Sequence, residues 1–321
     1  MSRTKSTTML LVVIALISFN LNFVFAQEKY PHETVTLITH SSPGGGSDVF
    51  LRQLSNYIGP ALGVNVVVEN VRGGSGAKAM AHLAQKAPAD GSIFYATTPT
   101  FIYTSLLSNP EYKYSDLEPL LNMFIDPEVI YTAADSSFET LEDAIKKARE
   151  DRGKWGAANP ASLERQALEQ LKAAADVEAA IVTHEGGGDL MINVMNGTLD
   201  IGVGEVQELL SQLEAGQVRL LATFSGERLD NFPDLPTVKE LGYDVVVQKF
   251  RGLAGPKDIP DDVVTMWEKA AQDVLTNSEY KASYQEANLR AEFIPHDEYV
   301  DFIKSFAAET ESFLRDTGVI K

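Results

Sequence analysis

Cysteine is absent from the 321-residue sequence. This absence excludes disulfide bonds, thiolate zinc sites, iron–sulfur ligation and a cysteine nucleophile. Positive charge is also scarce, since 27 lysines and arginines face 45 aspartates and glutamates, for a formal net charge of −18. A surface of this sign does not neutralise a phosphate backbone, so we expect no nucleic-acid partner. The composition is otherwise that of a globular protein, and the length predicts about two domains.

The one long hydrophobic run lies at the N-terminus. Arg3 and Lys5 precede an apolar stretch that begins at Met9, and the small residues near Ala26 suit a signal peptidase. Two asparagines interrupt the stretch before it reaches the about 20 residues of a membrane span, which argues against a retained anchor. No cysteine follows for lipid attachment. We therefore predict a signal peptide over residues 1–26, cleaved after Ala26, and a periplasmic location.

Short β-rich runs alternate with helical patterns along the rest of the chain. Mostly continuous apolar runs predict strands over residues 34–39, 64–69, 92–97, 129–132, 181–183, 199–203, 219–223 and 244–247. Apolar spacing and capping signals predict helices over residues 48–57, 140–149, 162–175, 261–275 and 296–315. This alternation is typical of an α/β protein with open, mostly parallel sheets and helices on both faces.

No flexible linker or internal repeat separates the two expected domains. We therefore expect the chain to cross between them more than once, through strands, near residues 124–128 and 247–251. This predicts a discontinuous domain 1, formed by residues 27–125 and 249–321, and a domain 2 formed by residues 126–248.

A glycine-rich turn joins the first predicted strand to the first predicted helix. Gly44, Gly45 and Gly46 precede Ser47 and Asp48. Glycines leave backbone N–H groups accessible, and a helix N-terminus carries about half a positive charge, so the turn predicts an anion seat. A tight turn without a ligand is the alternative. The lysine of a phosphate-binding P-loop and the last glycine of a dinucleotide motif are both missing, which favours a carboxylate over a nucleotide.

Two further turns of this kind follow. Residues 155–162 join a strand to a helix with Ser162 as N-cap and Arg165 in the first turn. The alternative here is an ordinary capped helix with a solvated Arg165. Residues 185–189 contain three glycines before a helix that starts near Leu190. We expect these helix N-termini to converge on one cleft between the two domains.

Five segments of the sequence carry a resemblance to a known family. They cover residues 30–54 (with HSSPGGGSDVF), 66–91 (with VRGGSGAKAM), 184–229 (with HEGGGDLMINVMNGTLDIG), 232–246 and 250–264 (with FRGLAGP). Together they resemble the periplasmic solute receptors of tripartite tricarboxylate transporters, the Bug-type family, over nearly the whole mature chain.

The resemblance implies a two-domain periplasmic binding protein of the Venus-flytrap type without catalytic activity or cofactor. Such a receptor binds a small carboxylate in the interdomain cleft, namely a di- or tricarboxylate, an aromatic acid or an acidic amino acid, and delivers it to membrane permease subunits. Backbone N–H groups and hydroxyls of the first two loops are expected to hold the ligand. The expected ligand-binding residues are Ser42, Pro43, Gly44, Gly45, Gly46, Ser47, Asp48, Ala158, Asn159, Ala161, Ser162, Arg165, Gly187, Glu205 and Phe250.

Two positions depart from the family pattern, and a third bears on the charge of the ligand. Arg165 stands where relatives often have histidine, and it could pair with a second ligand carboxylate or with a neighbouring glutamate. Phe250 replaces a tryptophan and is expected to form an apolar wall. Glu205 follows a predicted strand and is expected at the cleft, where it would repel a wholly anionic ligand. An amino acid or mixed-charge ligand therefore stays open.

Other functions have weaker support in the sequence. The five histidines show no metal-binding spacing, so we expect no metal site. Ser75 lies in a Gly-x-Ser-x-Ala sequence rather than the Gly-x-Ser-x-Gly elbow of hydrolases, which leaves a secreted hydrolase as a remote alternative. A receptor that signals to a membrane sensor kinase is the nearer alternative. We expect a monomer.

Overall fold

The computed structural model describes residues 29–321. The predicted signal peptide lies outside the described residues. The strands are β1 (Thr34–Thr39), β2 (Asn65–Asn70), β3 (Ile93–Thr97), β4 (Leu117–Asp126), β5 (Glu128–Ala133), β6 (Gly153–Ala157), β7 (Ala179–Thr183), β8 (Ile201–Glu205), β9 (Val218–Thr223), β10 (Lys249–Pro256) and β11 (Arg290–Ile294). The helices are α1 (Gly46–Leu62), α2 (Ala77–Lys86), α3 (Pro99–Leu107), α4 (Leu141–Glu150), α5 (Leu163–Ala174), α6 (Gly187–Met195), α7 (Val206–Glu214), α8 (Asp261–Leu275), α9 (Ser278–Glu286) and α10 (His296–Asp316).

The strands form two sheets, ordered β11-β4-β10-β3-β1-β2 and β7-β6-β8-β5-β9. The βα units pair in parallel, β1 with β2 and β3, and β6 with β7 and β8. In contrast, β10 pairs antiparallel with β3 and β4, and β5 pairs antiparallel with β8 and β9. The expected two-domain α/β architecture is confirmed. Most strands of each sheet run in one direction, whereas β10, β11 and β5 run against them, so both sheets are mixed.

The chain passes between the sheets through strands. β4 ends at Asp126 and β5 begins at Glu128, so only Pro127 connects them. β10 then returns the chain from the second sheet to the first. The last helix, α10, contacts both parts, because Ile303 is buried in a core of the first sheet and Leu314 in a core of the second. We call the part built on the first sheet lobe 1 and the part built on the second sheet lobe 2.

Each sheet carries an apolar core on both faces, as the alternation of side chains along its strands requires. In β1, Leu37 belongs to one core of lobe 1 and the adjacent Ile38 to the other. Burying an aliphatic or phenyl side chain of this size contributes about 1.5–3 kcal/mol. None of the helices within residues 29–321 has the length and apolar character needed to cross a bilayer.

Local capping signals appear as the sequence predicts. Thr140 accepts a hydrogen bond from the Asp143 N–H, and the Asp143 carboxylate accepts one from the Thr140 N–H, which is a complete capping box at the start of α4. Ser162 caps α5 by accepting from the Arg165 N–H at 3.2 Å. The predicted strand over 244–247 is wrong. Residues 243–248 form no ladder, and Val247 only donates to the Phe224 carbonyl at 3.1 Å.

Candidate functional site

Glycine turns from the two lobes meet face to face. The turn that precedes α1 contacts the turn that precedes α6. A side chain on Gly186 would clash with the Ser42 backbone, and one on Gly188 would clash with the Pro43 carbonyl. Only glycine allows this approach of backbone to backbone, so the two turns are built to touch. The structure is therefore a closed form, in which two of the three predicted helix N-termini face each other directly.

Further contacts join the lobes around this point. The Ala161 N–H donates to the Ser75 hydroxyl at 3.2 Å, and Ser75 has a left-handed φ of 53°. The Arg72 guanidinium pairs with Asp189, and the Gln207 side chain donates to Asp126 at 2.7 Å. Ser75 thus serves a contact between the lobes. This role gives no support to a hydrolytic nucleophile.

A small cavity lies between the touching turns. Its volume is about 20 Å³, and its lining includes Ser47, Thr98, Asn159, Glu164 and Lys249. A cavity needs about 10–15 Å³ to hold one water molecule. In the closed form the cleft thus accommodates roughly a single water, and a larger solute enters only when the lobes separate or the lining side chains move.

A cluster of charged side chains from both lobes is buried beside this cavity. The buried charge cluster consists of the cations Lys249 and Arg251 and the acidic residues Asp126, Glu128, Glu164, Glu205 and Glu208. Lys249 Nζ lies 2.9 Å from Glu128 and 2.6 Å from Glu164, and it also pairs with Glu205. Arg251 pairs with Asp126 and lies 3.0 Å from Glu205. Four carboxyl groups therefore share two cations, and the fifth, that of Glu208, pairs with neither.

The surroundings shift the pKa values of these groups in opposite directions. Burial raises the pKa of Glu128 and Glu208 well above the usual range, and it raises that of Asp126 to about 6. Burial alone would also raise the pKa of Glu205, but Lys249 and Arg251 outweigh it and lower that pKa to about 2. Glu205 is thus the carboxylate that the cations hold ionised, whereas Glu128 and Glu208 favour the protonated form.

The predicted anion seat at α1 contains a carboxyl group of the protein itself. The Gly46 N–H donates to Glu208 Oε2 at 2.7 Å across the cleft. A side chain on Gly46 would clash with the Glu205 carboxylate, and one on Gly187 would clash with that of Glu208. The N-termini of α1 and α6 therefore close around these two carboxyl groups. The contact shows that the α1 seat accommodates a carboxyl group.

A metal ion has little room in this arrangement. Glu128, Glu164 and Glu205 place one oxygen each within 4.8 Å of one another, which is the spacing of a metal site. The Lys249 ammonium forms ion pairs with all three residues. The ammonium already supplies the cation that this group of oxygens requires.

The predicted binding residues divide into two groups. Those that line the cavity are Gly46, Ser47, Ala158, Asn159, Gly187 and Glu205. Those that do not line it are Ser42, Pro43, Gly44, Gly45, Asp48, Ala161, Ser162, Arg165 and Phe250. Of these, Ser42, Pro43 and Gly45 form the turn that touches lobe 2, and Ala161 bonds to lobe 1 through Ser75.

Three of the predicted residues have other roles in the closed form. Asp48 accepts from the Gly44 N–H at 2.9 Å and pairs with Arg52, so it holds the turn in place. Arg165 donates to the Pro160 carbonyl at 3.0 Å and faces Glu169 at 3.7 Å. Contrary to expectation, Phe250 packs among aromatic rings of lobe 1 instead of walling the cleft.

The placement of Phe250 follows from strand geometry. Successive side chains of β10 point to opposite faces, so Lys249 and Arg251 share the face that borders the cleft and Phe250 takes the other. The alternation Lys-Phe-Arg was the available sequence signal for both cations. The cavity lining also includes residues that the sequence motifs do not indicate, among them His40, Thr98, Glu164 and Glu208. Burial lowers the pKa of His40 to about 4, so it is neutral near pH 7.

Comparisons with known proteins agree with this architecture. The profile of the tripartite tricarboxylate transporter family receptor matches residues 50–319. BugT of Bordetella pertussis is 25% identical over 301 residues, which cover 91% of each chain. The structure of the periplasmic binding protein BugD has a TM-score of 0.84 and 23% identity, covering 90% of this chain and 99% of that one. Rpa4515 of R. palustris, solved with adipate, has a TM-score of 0.84 and 22% identity, covering 90% and 98%. The chain therefore belongs to the family of tripartite tricarboxylate transporter receptors.

Proposed function

We propose that this protein is an extracytoplasmic receptor that binds a small carboxylate between its lobes and delivers it to a tripartite tricarboxylate-type transporter. The observation that carries the proposal is the carboxyl group of Glu208 on the Gly46 N–H, at the N-terminus of α1 and directly opposite the α6 turn. Backbone N–H groups and the helix dipole favour a carboxylate at this point. The adipate in the related Rpa4515 structure supports a carboxylate ligand.

The proposed mechanism is a population shift between open and closed forms. A carboxylate that enters the open cleft competes with Glu208 for the Gly46 N–H. It then gains contacts to lobe 2 only when the lobes close again. Because it binds the closed form better than the open form, it shifts the population toward closure by that difference in affinity. The closed surface is then the one that the permease recognises.

The proposal includes a division of the chain into two domains and an exported N-terminal segment. Residues 27–125 and 249–321 form one domain and residues 126–248 the other, which the division of the strands between the two sheets supports. Residues 1–26 direct export to the periplasm and are removed. The protein acts as a monomeric receptor and not as an enzyme, with the cavity-lining residues and the touching turns as its binding site.

Calorimetry and thermal shift on residues 27–321 test the proposal. The probes are succinate, adipate, citrate, benzoate and L-glutamate. We expect at least one to bind, with about 2.7 kcal/mol of added stability at about 100 times its dissociation constant. Silence toward all of these acids would contradict the proposal.

A pair of glycine variants tests the location of the site. Gly46→Ala places a methyl group against the Glu205 carboxylate and prevents full closure, so affinity should fall. Gly226→Ala is the matched control, because its nearest neighbour, the Val246 side chain, is 3.8 Å away. Equal affinities of the two variants would place the ligand elsewhere.

A further inference from the structure

We infer that the bound solute carries a protonated amine beside its carboxylate, and that Glu164 receives this amine at the cleft. The inference rests on the proposed function and narrows it, from small carboxylates in general to amino carboxylates. Two independent observations carry it: the charge balance of the buried cluster, and unpartnered polar atoms on buried cavity-lining side chains.

The charge balance of the cluster favours an incoming cation. The high pKa values of Glu128 and Glu208 favour their neutral forms. Even then, Asp126, Glu164 and Glu205 outnumber the two cations Lys249 and Arg251 by one. A di- or tricarboxylate adds two or three negative charges to a region that already has an excess of one. An amino monocarboxylate adds no net charge, because its ammonium offsets its own carboxylate, and that ammonium faces the excess acid.

Glu164 offers the clearest acceptor for this ammonium. Its side chain is 5% exposed and lines the cavity, and Lys249 engages its Oε1 at 2.6 Å. Its Oε2 is buried and has no hydrogen-bond partner within the described residues. Because a buried carboxylate oxygen without a donor is costly, this atom points to a donor that arrives with the ligand.

Lys249 does not donate to Glu164 Oε2, since its ammonium is already shared among Glu128, Glu164 and Glu205.

Thr98 supplies a hydroxyl donor for the carboxylate of the ligand. It is 1% exposed, lines the cavity and has an unpartnered Oγ1 within the described residues. A hydroxyl donor and a carboxylate acceptor thus line one cavity, which is the arrangement that an amino carboxylate requires.

Matched ligands that differ in one substituent test the inference. Succinate, L-malate and L-aspartate share a carbon skeleton and present hydrogen, hydroxyl and ammonium at the same carbon; propionate, L-lactate and L-alanine form a second such series. Calorimetry on residues 27–321 at neutral pH should show the amine-bearing member of at least one series binding about tenfold or more tighter than its analogues. Equal affinities of the hydroxyl-bearing and the amine-bearing ligand in both series would overturn the inference.

Two variants on one helix locate the amine contact. Glu164→Gln should reduce the preference for the amine to about threefold or less, because it removes the charge and keeps the shape. Glu169→Gln is the control on α5, since Glu169 is partly exposed and faces Arg165. Melting temperatures verify that both variants fold. A preference that survives Glu164→Gln unchanged would overturn the role of Glu164.

The remaining outcomes separate the inference from the proposed function. Tight binding of succinate or propionate with no gain from the amine refutes the inference and leaves the carboxylate receptor intact. Binding of these acids that appears only with added Ca²⁺ or Mg²⁺ and disappears with a chelator refutes it too, because the cation is then a metal ion. Binding of adipate, citrate or benzoate with silence toward L-glutamate and all six acids refutes the inference alone. Silence toward these six acids and toward the five probes of the proposed function contradicts both.

Discussion

Replacing Lys249 by methionine should destabilise the protein strongly, because three carboxyl groups depend on its ammonium. Lys249 is 4% exposed and pairs with Glu128, Glu164 and Glu205. Methionine keeps much of the side-chain volume but leaves these buried acids without their shared cation. Removing one partner of a buried ion pair costs about 3–5 kcal/mol, which corresponds to a fall in melting temperature of about 10 °C.

A surface lysine provides the matched control for this substitution. Lys269 lies 2.6 Å from Asp273, the same distance as between Lys249 and Glu164, but these two side chains are 67% and 60% exposed. Lys269→Met should therefore cost less than about 1 kcal/mol. Thermal and urea unfolding of both variants measures the two losses of stability. The difference between them should follow from the difference in burial of the two ion pairs.

The loss in Lys249→Met should also depend on pH. Without Lys249 the pKa of Glu205 rises from about 2, so the folded variant takes up a proton that the folded wild type does not bind. The destabilisation should be largest at alkaline pH and shrink as the pH falls toward about 5. A loss under about 1 kcal/mol at pH 8, or one independent of pH, would refute the claim that Lys249 compensates buried acids.

Three further predictions concern individual groups. Glu128 and Glu208 keep protons in the folded protein that they lose on unfolding, so their contribution to stability should fall as the pH rises above about 4.3, the ordinary glutamate pKa. Glu208→Gln should reduce the slope of the free energy of unfolding against pH, measured by urea unfolding at a series of pH values, by up to about 1.4 kcal/mol per pH unit. Asp189→Asn removes a partly exposed ion pair between the lobes and should weaken ligand affinity at most about fivefold, less in high salt, by calorimetry. Arg165→Ala should leave affinity for every acid unchanged, because Arg165 pairs with Glu169; a selective loss of diacid binding would contradict this.

The features that sequence alone predicts are those with a local cause. The turn from Gly44 to Gly46 and the capping box of Thr140 and Asp143 act over a few residues, and the structure contains both. The strand over 244–247 was predicted from β-branched residues. It fails because strand formation requires a ladder partner, and Val247 contributes only one bond to Phe224.

The buried charge cluster could not be predicted in this way. Its members come from β4, β5, α5, β8, α7 and β10, and only the crossing of strands between the lobes brings them together. Glu205 was expected at the cleft from its place after a strand, but its two cations were not. Lys249 and Arg251 are two residues apart in the sequence, a spacing that places both on one face of a strand. Glu208 is the N3 residue of a capping box at the start of α7, so its position in the sequence has an ordinary structural explanation.

Hydrogen exchange with and without the tightest-binding acid tests the central claim most directly. If a solute bridges the lobes, the amides of residues 44–48 in lobe 1 and of residues 186–188 in lobe 2 should gain protection together, over the same range of ligand concentration. Protection confined to one of the two turns, or found only in the open groove near Lys29 and Val64, would contradict binding between the lobes.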